Sequence, residues 1–402
     1  MERVGLEVAE ILRRFEGRYR QGSGGMSSQQ AHVFRALTAC RTAALGGHVE
    51  ACDACGHRQI AYNSCRNRHC PKCQGAATAE WLERERRHLL DVPYSHVVFT
   101  LPQVLAPLAL QNPRVCYDLL FRAAAQTLLQ IGADPRHLGA RIGFIAVLHT
   151  WGQTLLHHPH VHCLVPAGGL SPDGTRWISC RAGFFLPVRV LGALFRGKYL
   201  ALLEQSYRQG RLVFHGRLRP LTDAGAFLVL LRETRARRWV VYAKPPFGGA
   251  EPALKYLARY THRIAISNSR LHSATDTAVT FSWKDYHQTS RMRRMRLDPC
   301  EFIRRFLLHV LPRGFVRIRR YGLLANCHRE PSLARCRGLL RQEAPPPCEP
   351  QTGPADEPGE EPGPEAKQKR CPLCQAGWMY VVEILRPTSL HLPSGPRPID
   401  SS

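Results

Sequence analysis

His160 and His162 lie one residue apart in the run His157-His158-Pro159-His160-Val161-His162-Cys163-Leu164-Val165. Successive side chains of a β-strand point to opposite faces, so Val161 faces a core while both imidazoles share the other face. On a helix the pair would diverge by about 200° and could not share an ion. Two imidazoles side by side on a rigid strand are half of a metal site. The competing reading is a pair of surface histidines on an edge strand.

Thiols supply a second chemistry. Cys52-Asp53-Ala54-Cys55-Gly56 precedes Cys65-Arg66-Asn67-Arg68-His69-Cys70-Pro71-Lys72-Cys73. Each Cys-x-x-Cys can turn two thiolates toward one ion, and two such knuckles supply the four sulfurs that tetrahedral zinc takes. The expected ligands are Cys52, Cys55, Cys70 and Cys73, with Cys65 or His69 as substitutes. A closed four-sulfur site leaves no open position, so its role is structural. Cys371 and Cys374 form half of a further site, which Cys327, His328, Cys336 or Cys348 could complete.

A third chemistry lies in Pro252-Ala253-Leu254-Lys255-Tyr256-Leu257-Ala258-Arg259-Tyr260-Thr261-His262. Proline followed by good helix formers predicts a short helix. Tyr256 and Tyr260 then share one face, with Cβ atoms about 6 Å apart. A tyrosine hydroxyl can attack phosphorus when a metal or base activates the site. The bland alternative is an aromatic stripe packed on a sheet.

The elements that must carry these groups are readable in outline. Strands are expected at 96–101, 142–149 and 160–165, the last two pairing antiparallel, and at 225–231, 238–243, 278–283 and 315–321. Helices are expected near 113–131, 187–208, 252–262 and 299–310, and residues 1 to 45 read as helical around a Gly22-Ser23-Gly24-Gly25 break. This mixed, non-repeating order predicts an α+β fold with a central antiparallel sheet flanked by helices. The expected organisation is an N-terminal helical segment (1–45), a zinc-binding DNA-recognition domain (46–92), a main domain (93–342), a linker (343–370) and a tail with Cys-x-x-Cys (371–402). The linker assignment rests on residues 343–365, which hold eight prolines and seven acidic residues and no lysine or arginine.

Charge indicates the partner. The 402 residues carry 56 Lys+Arg against 31 Asp+Glu, a formal net charge of +25, and seven of the basic residues are lysine. Arginine is the better bidentate phosphate ligand, so the balance points to nucleic acid, although a GC-rich genome also enriches arginine. The run Arg291-Met292-Arg293-Arg294-Met295-Arg296 is a dense patch, and strand alternation would put Arg317 and Arg319 on one face. Trp283, Lys284 and Tyr286 suit stacking of single-stranded bases. The candidate DNA contacts are Arg66, Arg68, Arg259, Arg293, Arg294, Arg317 and Arg319. No apolar run reaches membrane-spanning length and the start lacks a signal peptide's apolar core, so a cytoplasmic, nucleoid-associated protein is expected. Fifteen cysteines in such a chain argue for thiols and metal sites over disulfides.

The combination resembles the HUH-type rolling-circle transposases of bacterial insertion sequences, specifically the two-tyrosine IS91 group. The resemblance runs from about residue 30 to 340 and again over 371–379. It is carried by Ser64 to Gln74, His158-Pro159-His160-Val161-His162 with Gly168-Gly169-Leu170, Tyr256-Leu257-Ala258-Arg259-Tyr260, Trp283-Lys284-Asp285-Tyr286 and the run Glu301 to Asn326. It implies an HUH nuclease core in which His160 and His162 hold Mg²⁺ or Mn²⁺ with a third polar ligand. Gln153 is the first candidate for that ligand and His149 the second. It further implies that Tyr256 or Tyr260 attacks single-stranded DNA of the transposon ends, leaving a 5′-phosphotyrosine and a free 3′-hydroxyl that can rejoin another strand. The structural metal would be zinc. Histidine-rich ligation is soft for Mg²⁺, which favours Mn²⁺ or Zn²⁺ on affinity alone. The acidic insert before Cys371 departs from the family pattern.

Two alternatives remain at this stage. A plasmid relaxase or replication initiator would share the chemistry and differ in its DNA, and no Gly-x-x-x-x-Gly-Lys-Ser/Thr loop suggests a large initiator. A non-enzymatic zinc DNA-binding protein would leave His160, His162 and the tyrosine pair without a role.

Overall fold

The structure, a computed structural model, describes residues 5–22, 25–181, 183, 186–261, 265–285, 291–343 and 369–388, without the side chains of 76, 77, 247, 250, 257, 259–261, 342 and 343. Residues 344–368 of the expected linker, Cys348 among them, Tyr286 and the end of the tail therefore lie outside the described residues, as do the side chains of Arg259 and Tyr260.

A five-stranded antiparallel sheet carries the histidine run. Its order is Ile318–Gly322, Gly143–Trp151, His157–Pro166, Tyr94–Thr100 and Val241–Phe247. The expected hairpin is present, with Val147 opposite His162 and His149 opposite His160. Val97, Phe99, Val161 and Cys163 are buried on one face, in a core shared with the helices Pro113–Ala133 and Val188–Arg208. The other face lies under Ala250–Thr261, Gln74–Arg86 and Arg329–Glu343, through a core that includes Ile145, Val147, Leu164, Trp81, Ala253, Leu254 and Leu333. Burial on both faces makes the two central strands rigid supports.

The turn between the hairpin strands is held from outside. Leu155 is fully buried at φ 62, a conformation unusual for a non-glycine residue. His309 fastens it, its Nε2 lying 3.1 Å from the Leu155 carbonyl and its Nδ1 3.2 Å from the Thr150 hydroxyl.

One sequence expectation changes. Residues 225–231 are helical, within Ala224–Ala236, instead of a strand. Asp223 caps that helix by accepting from the Ala226 N–H, and Phe227 and Leu231 bury one side while Leu228 and Val229 stay exposed. An apolar run of that length does not distinguish strand from helix. The arginine run Arg291–Leu297 is itself a strand, paired with Val279–Asp285 and through it with Leu271–Ala274.

Neither end of the chain stands apart. The N-terminal helices Val8–Gly22 and Ser28–Ala39 share one core with Val279, Phe281 and the helix Pro299–Leu307. The tail strand Trp378–Leu385 pairs antiparallel with Gly47–Cys52, which also pairs with Arg58–Tyr62. The fold is α+β, with antiparallel sheets. Among the described residues no helix is long and apolar enough to cross a membrane.

Candidate metal centres and active site

Strand alternation places His160 and His162 on one face, and His149 on the neighbouring strand completes a group whose ligand atoms all lie within 4.8 Å of one another. The His160 Nδ1 lies 2.6 Å from the His158 carbonyl, so it donates its proton there and leaves Nε2 as the ligand atom. His149 stacks on Trp151 at 4.4 Å between centroids. Burial pushes His160 down to about 3 and His162 well below the ordinary imidazole value, so both are neutral at physiological pH. Three imidazoles with their ligand atoms this close fit a divalent cation, and the donor set favours Mn²⁺ or Zn²⁺ over Mg²⁺. Gln153, the first candidate third ligand, has its side-chain oxygen 3.4 Å from the Lys284 N–H, and its carbonyl accepts from Arg270 at 2.7 Å. It anchors the hairpin turn to the arginine-bearing sheet, and His149, the second candidate, stands beside the pair.

Tyr256, on the helix Ala250–Thr261, comes down over this face of the sheet. Its hydroxyl lies 3.2 Å from His96 Nδ1, and His96 Nε2 lies 2.8 Å from His162 Nδ1. The Lys244 ammonium stands 5.5 Å from the centre of the Tyr256 ring. His96 had no motif to mark it; its only signal was a histidine inside an apolar strand.

The cysteines form two four-sulfur groups, which corrects the expected ligand set of Cys52, Cys55, Cys70 and Cys73 and completes the half-site of Cys371 and Cys374. Cys70 and Cys73 join Cys65 and Cys40, whereas Cys52 and Cys55 join Cys371 and Cys374. The measured Sγ–Sγ separations are 3.6 Å for Cys40–Cys73 and 3.7 Å for Cys65–Cys73, Cys52–Cys374 and Cys55–Cys371. Sulfurs about 2.3 Å from a tetrahedral zinc stand about 3.8 Å apart, while a disulfide would bring them to about 2.05 Å. Both groups therefore fit zinc. Cys40 caps the helix Ser28–Ala39, a place no Cys-x-x-Cys spacing marks. His69 is not among the ligands: its ring nitrogens meet Asn67 Oδ1 at 3.0 Å and the Leu311 N–H at 3.2 Å.

The second group closes across the chain. The Leu373 N–H points at Cys371 Sγ and the Gly377 N–H at Cys374 Sγ, each at 3.4 Å. The Gly377 N–H above all, with that of Ala376, draws the Cys374 thiol down to about 6, toward the thiolate a metal needs. Position 377 must be glycine, because a Cβ there would come within 2.5 Å of Cys52 Sγ and Asp53 Oδ1. Asp53 in turn accepts from the Trp378 N–H at 2.7 Å. Of the other candidates for this site, Cys336 is buried in the core under the sheet and Cys327 stands 3.0 Å from His328.

The arginines divide by burial. Arg66, Arg293 and Arg294 are exposed, and Arg293 pairs with Asp285 at 3.2 Å. Arg68 instead donates to the Phe315 and Pro312 carbonyls at 2.6 and 3.0 Å. Arg317 is buried, and Arg319 pairs with Asp118 and covers the Phe121 ring at 4.3 Å. All three turn toward the protein, Arg319 from a strand that pairs with Gly143–Trp151.

Comparison with known proteins identifies the family. Residues 143–331 match the family described as "Putative transposase" and residues 11–101 match the transposase zinc-binding domain. The chain is 56% identical over 384 residues to "Putative transposase y4qJ" of Sinorhizobium fredii, covering 96% of each chain. It is 30% identical over 321 residues to the transposase for insertion sequence element IS801 of Pseudomonas savastanoi pv. phaseolicola, covering 75% of this chain and 72% of the relative. No solved structure matches it. The chain belongs to the IS91/IS801 family of transposases, with the zinc-binding domain of that family at its N-terminal end.

Proposed function

We propose that this transposase cleaves and rejoins single-stranded DNA at insertion-sequence ends through a 5′-phosphotyrosine, with an HUH-type centre built from His149, His160 and His162. The observation that carries the reading is a group of three imidazoles facing one point, with a tyrosine hydroxyl one histidine away. The Tyr256 oxygen would form a bond to phosphorus as the bond to the 3′ oxygen breaks. The phenolic proton passes to water, and the departing 3′ oxygen takes one up. One phosphoester replaces another, so the 3′-hydroxyl can reverse the step on a different strand without external energy. A cation on the three histidines supplies positive charge at the non-bridging oxygens of the scissile phosphate. Tyr260, one helical turn on, is the second nucleophile that would hold one end while the other is cut.

The two sulfur groups hold structural zinc in this reading. Arg66, Arg293 and Arg294 remain as DNA contacts, the last two on a β-ribbon joined to the catalytic hairpin through Gln153. Incubation with single-stranded DNA from the element's own ends and Mn²⁺, followed by a denaturing gel, tests the proposal. Covalent adducts are expected that disappear on chelation and in the Tyr256→Phe, Tyr260→Phe double variant. No adduct with cognate DNA contradicts it.

A further inference from the structure

We infer that His96 is a positioning residue that ties the Tyr256 hydroxyl to the metal-ligand set, so that a cation at His162 dictates which hydrogen bond the tyrosine oxygen receives. This deepens, and rests on, the phosphotyrosine reading above. His96 lies on the strand Tyr94–Thr100, 3% exposed, between the two groups it links. Its ring is nearly parallel to that of His162, with centroids 5.0 Å apart and planes 11° from parallel, and the Tyr256 ring meets it edge-on at 72°. The contacts run Tyr256 Oη to His96 Nδ1 at 3.2 Å and His96 Nε2 to His162 Nδ1 at 2.8 Å.

A neutral imidazole has one N–H and one lone pair, so each ring in this series donates at one nitrogen and accepts at the other. His162 turns Nδ1 toward His96, which leaves Nε2 as the atom for an ion. A ligating Nε2 carries no proton, so the His162 proton is on Nδ1 and is donated to His96 Nε2. The single proton of His96 is then on Nδ1, aimed at the Tyr256 oxygen. The opposite order has the tyrosine O–H donating to His96 Nδ1. It puts the His96 proton on Nε2 and forces the His162 proton onto the very nitrogen that would hold the ion. The two orders exclude each other, and ligation selects the first. An N–H donated to the tyrosine oxygen stabilises the phenolate, which is the nucleophilic form. The phenolic proton leaves to solvent.

The arrangement distinguishes the two tyrosines, and trypsin separates them. Cleavage after Lys255, Arg259 and Arg263 puts Tyr256 and Tyr260 on different peptides. DNA-linked peptides from a reaction with single-stranded end DNA and Mn²⁺ are therefore quantified by mass spectrometry for wild type, His96→Ala and His96→Asn. In His96→Ala the ratio of Tyr256-linked to Tyr260-linked peptide should fall about a hundredfold, the scale of removing one preorganised donor at a reacting oxygen. His96→Asn keeps an N–H donor and should recover part of the ratio. Mn²⁺ affinity, measured by calorimetry without DNA, should fall at least about tenfold in His96→Ala, as for loss of a group that orients a ligand. A folding defect would lower both peptides together and leave their ratio unchanged. An unchanged ratio, with Mn²⁺ affinity also unchanged, overturns the inference. If wild type forms no linked peptide at all, the phosphotyrosine reading fails, and the affinity measurement still decides whether His96 supports His162.

Discussion

The sulfur centres and the histidine centre are built from the same idea, residues at short spacing facing one point, and they are embedded in opposite ways. Each sulfur group has four ligands, which closes tetrahedral zinc and leaves no place for a substrate. The histidine group has three, on adjacent strands buried on both faces, with a tyrosine reaching toward it from a helix above. The first kind of centre holds segments together; the second is held by segments already rigid. Cys40, Cys65, Cys70 and Cys73 fasten the end of an N-terminal helix to the loop behind it, and Cys52, Cys55, Cys371 and Cys374 fasten the tail to the N-terminal sheet. Removing a sulfur should therefore cost structure, and removing an imidazole should cost chemistry.

The largest effect is expected from Cys70→Ser. Structural zinc contributes about 10–16 kcal/mol in small zinc domains, and Cys70 and Cys40 lie in the same core as the N-terminal helices. The variant should bind one zinc per chain instead of two and lose the cooperative melting of that lobe. Retention of two zinc ions would break the assignment. Cys374→Ser should also lose one zinc but act locally. The tail strand should become open to protease while the five-stranded sheet keeps its melting temperature, read by limited proteolysis beside a thermal scan.

His149→Ala should keep both zinc ions and weaken Mn²⁺ binding at least about tenfold more than Gln153→Ala does. Equal losses would return Gln153 to the ligand set. A pH-dependent effect concerns His309, which fastens the buried Leu155 turn. Burial pushes it down to about 3, while an unfolded chain takes up that proton near pH 6.5. The unfolded state therefore binds more protons between those values. Stability from this group is complete above about pH 6.5 and is lost as pH falls toward 3, by up to about 1.4 kcal/mol per pH unit. His309→Gln should flatten that dependence, measured by urea unfolding at several pH values; an unchanged slope would contradict it.

Legibility in the sequence follows the range of the interactions. The period of two set the shared face of His160 and His162 and the burial of Val161, because strand alternation is local. The two Cys-x-x-Cys pairs near the N-terminus announced zinc for the same reason. Which knuckle pairs with which is a long-range matter. Cys55 meets Cys371 only because Trp378–Leu385 pairs with Gly47–Cys52, and nothing at positions 52–73 encodes that. His96 was hidden likewise, since its partners lie 66 and 160 residues away. Alternation could not tell that Arg317 is buried and that Arg319 pairs with Asp118 over the Phe121 ring, since those partners are distant in sequence.

The most direct test of the central claim is the yield of covalent DNA adduct from the His160→Ala, His162→Ala double variant. It is to be measured with Mn²⁺ and single-stranded end DNA on protein shown to retain both zinc ions. The account predicts an intact, zinc-loaded fold in which adducts fall by about a thousandfold or more, the scale of losing a charge-stabilising element at a reacting centre. Adduct formation at the wild-type level would show that these histidines are not the metal half of the cleaving site.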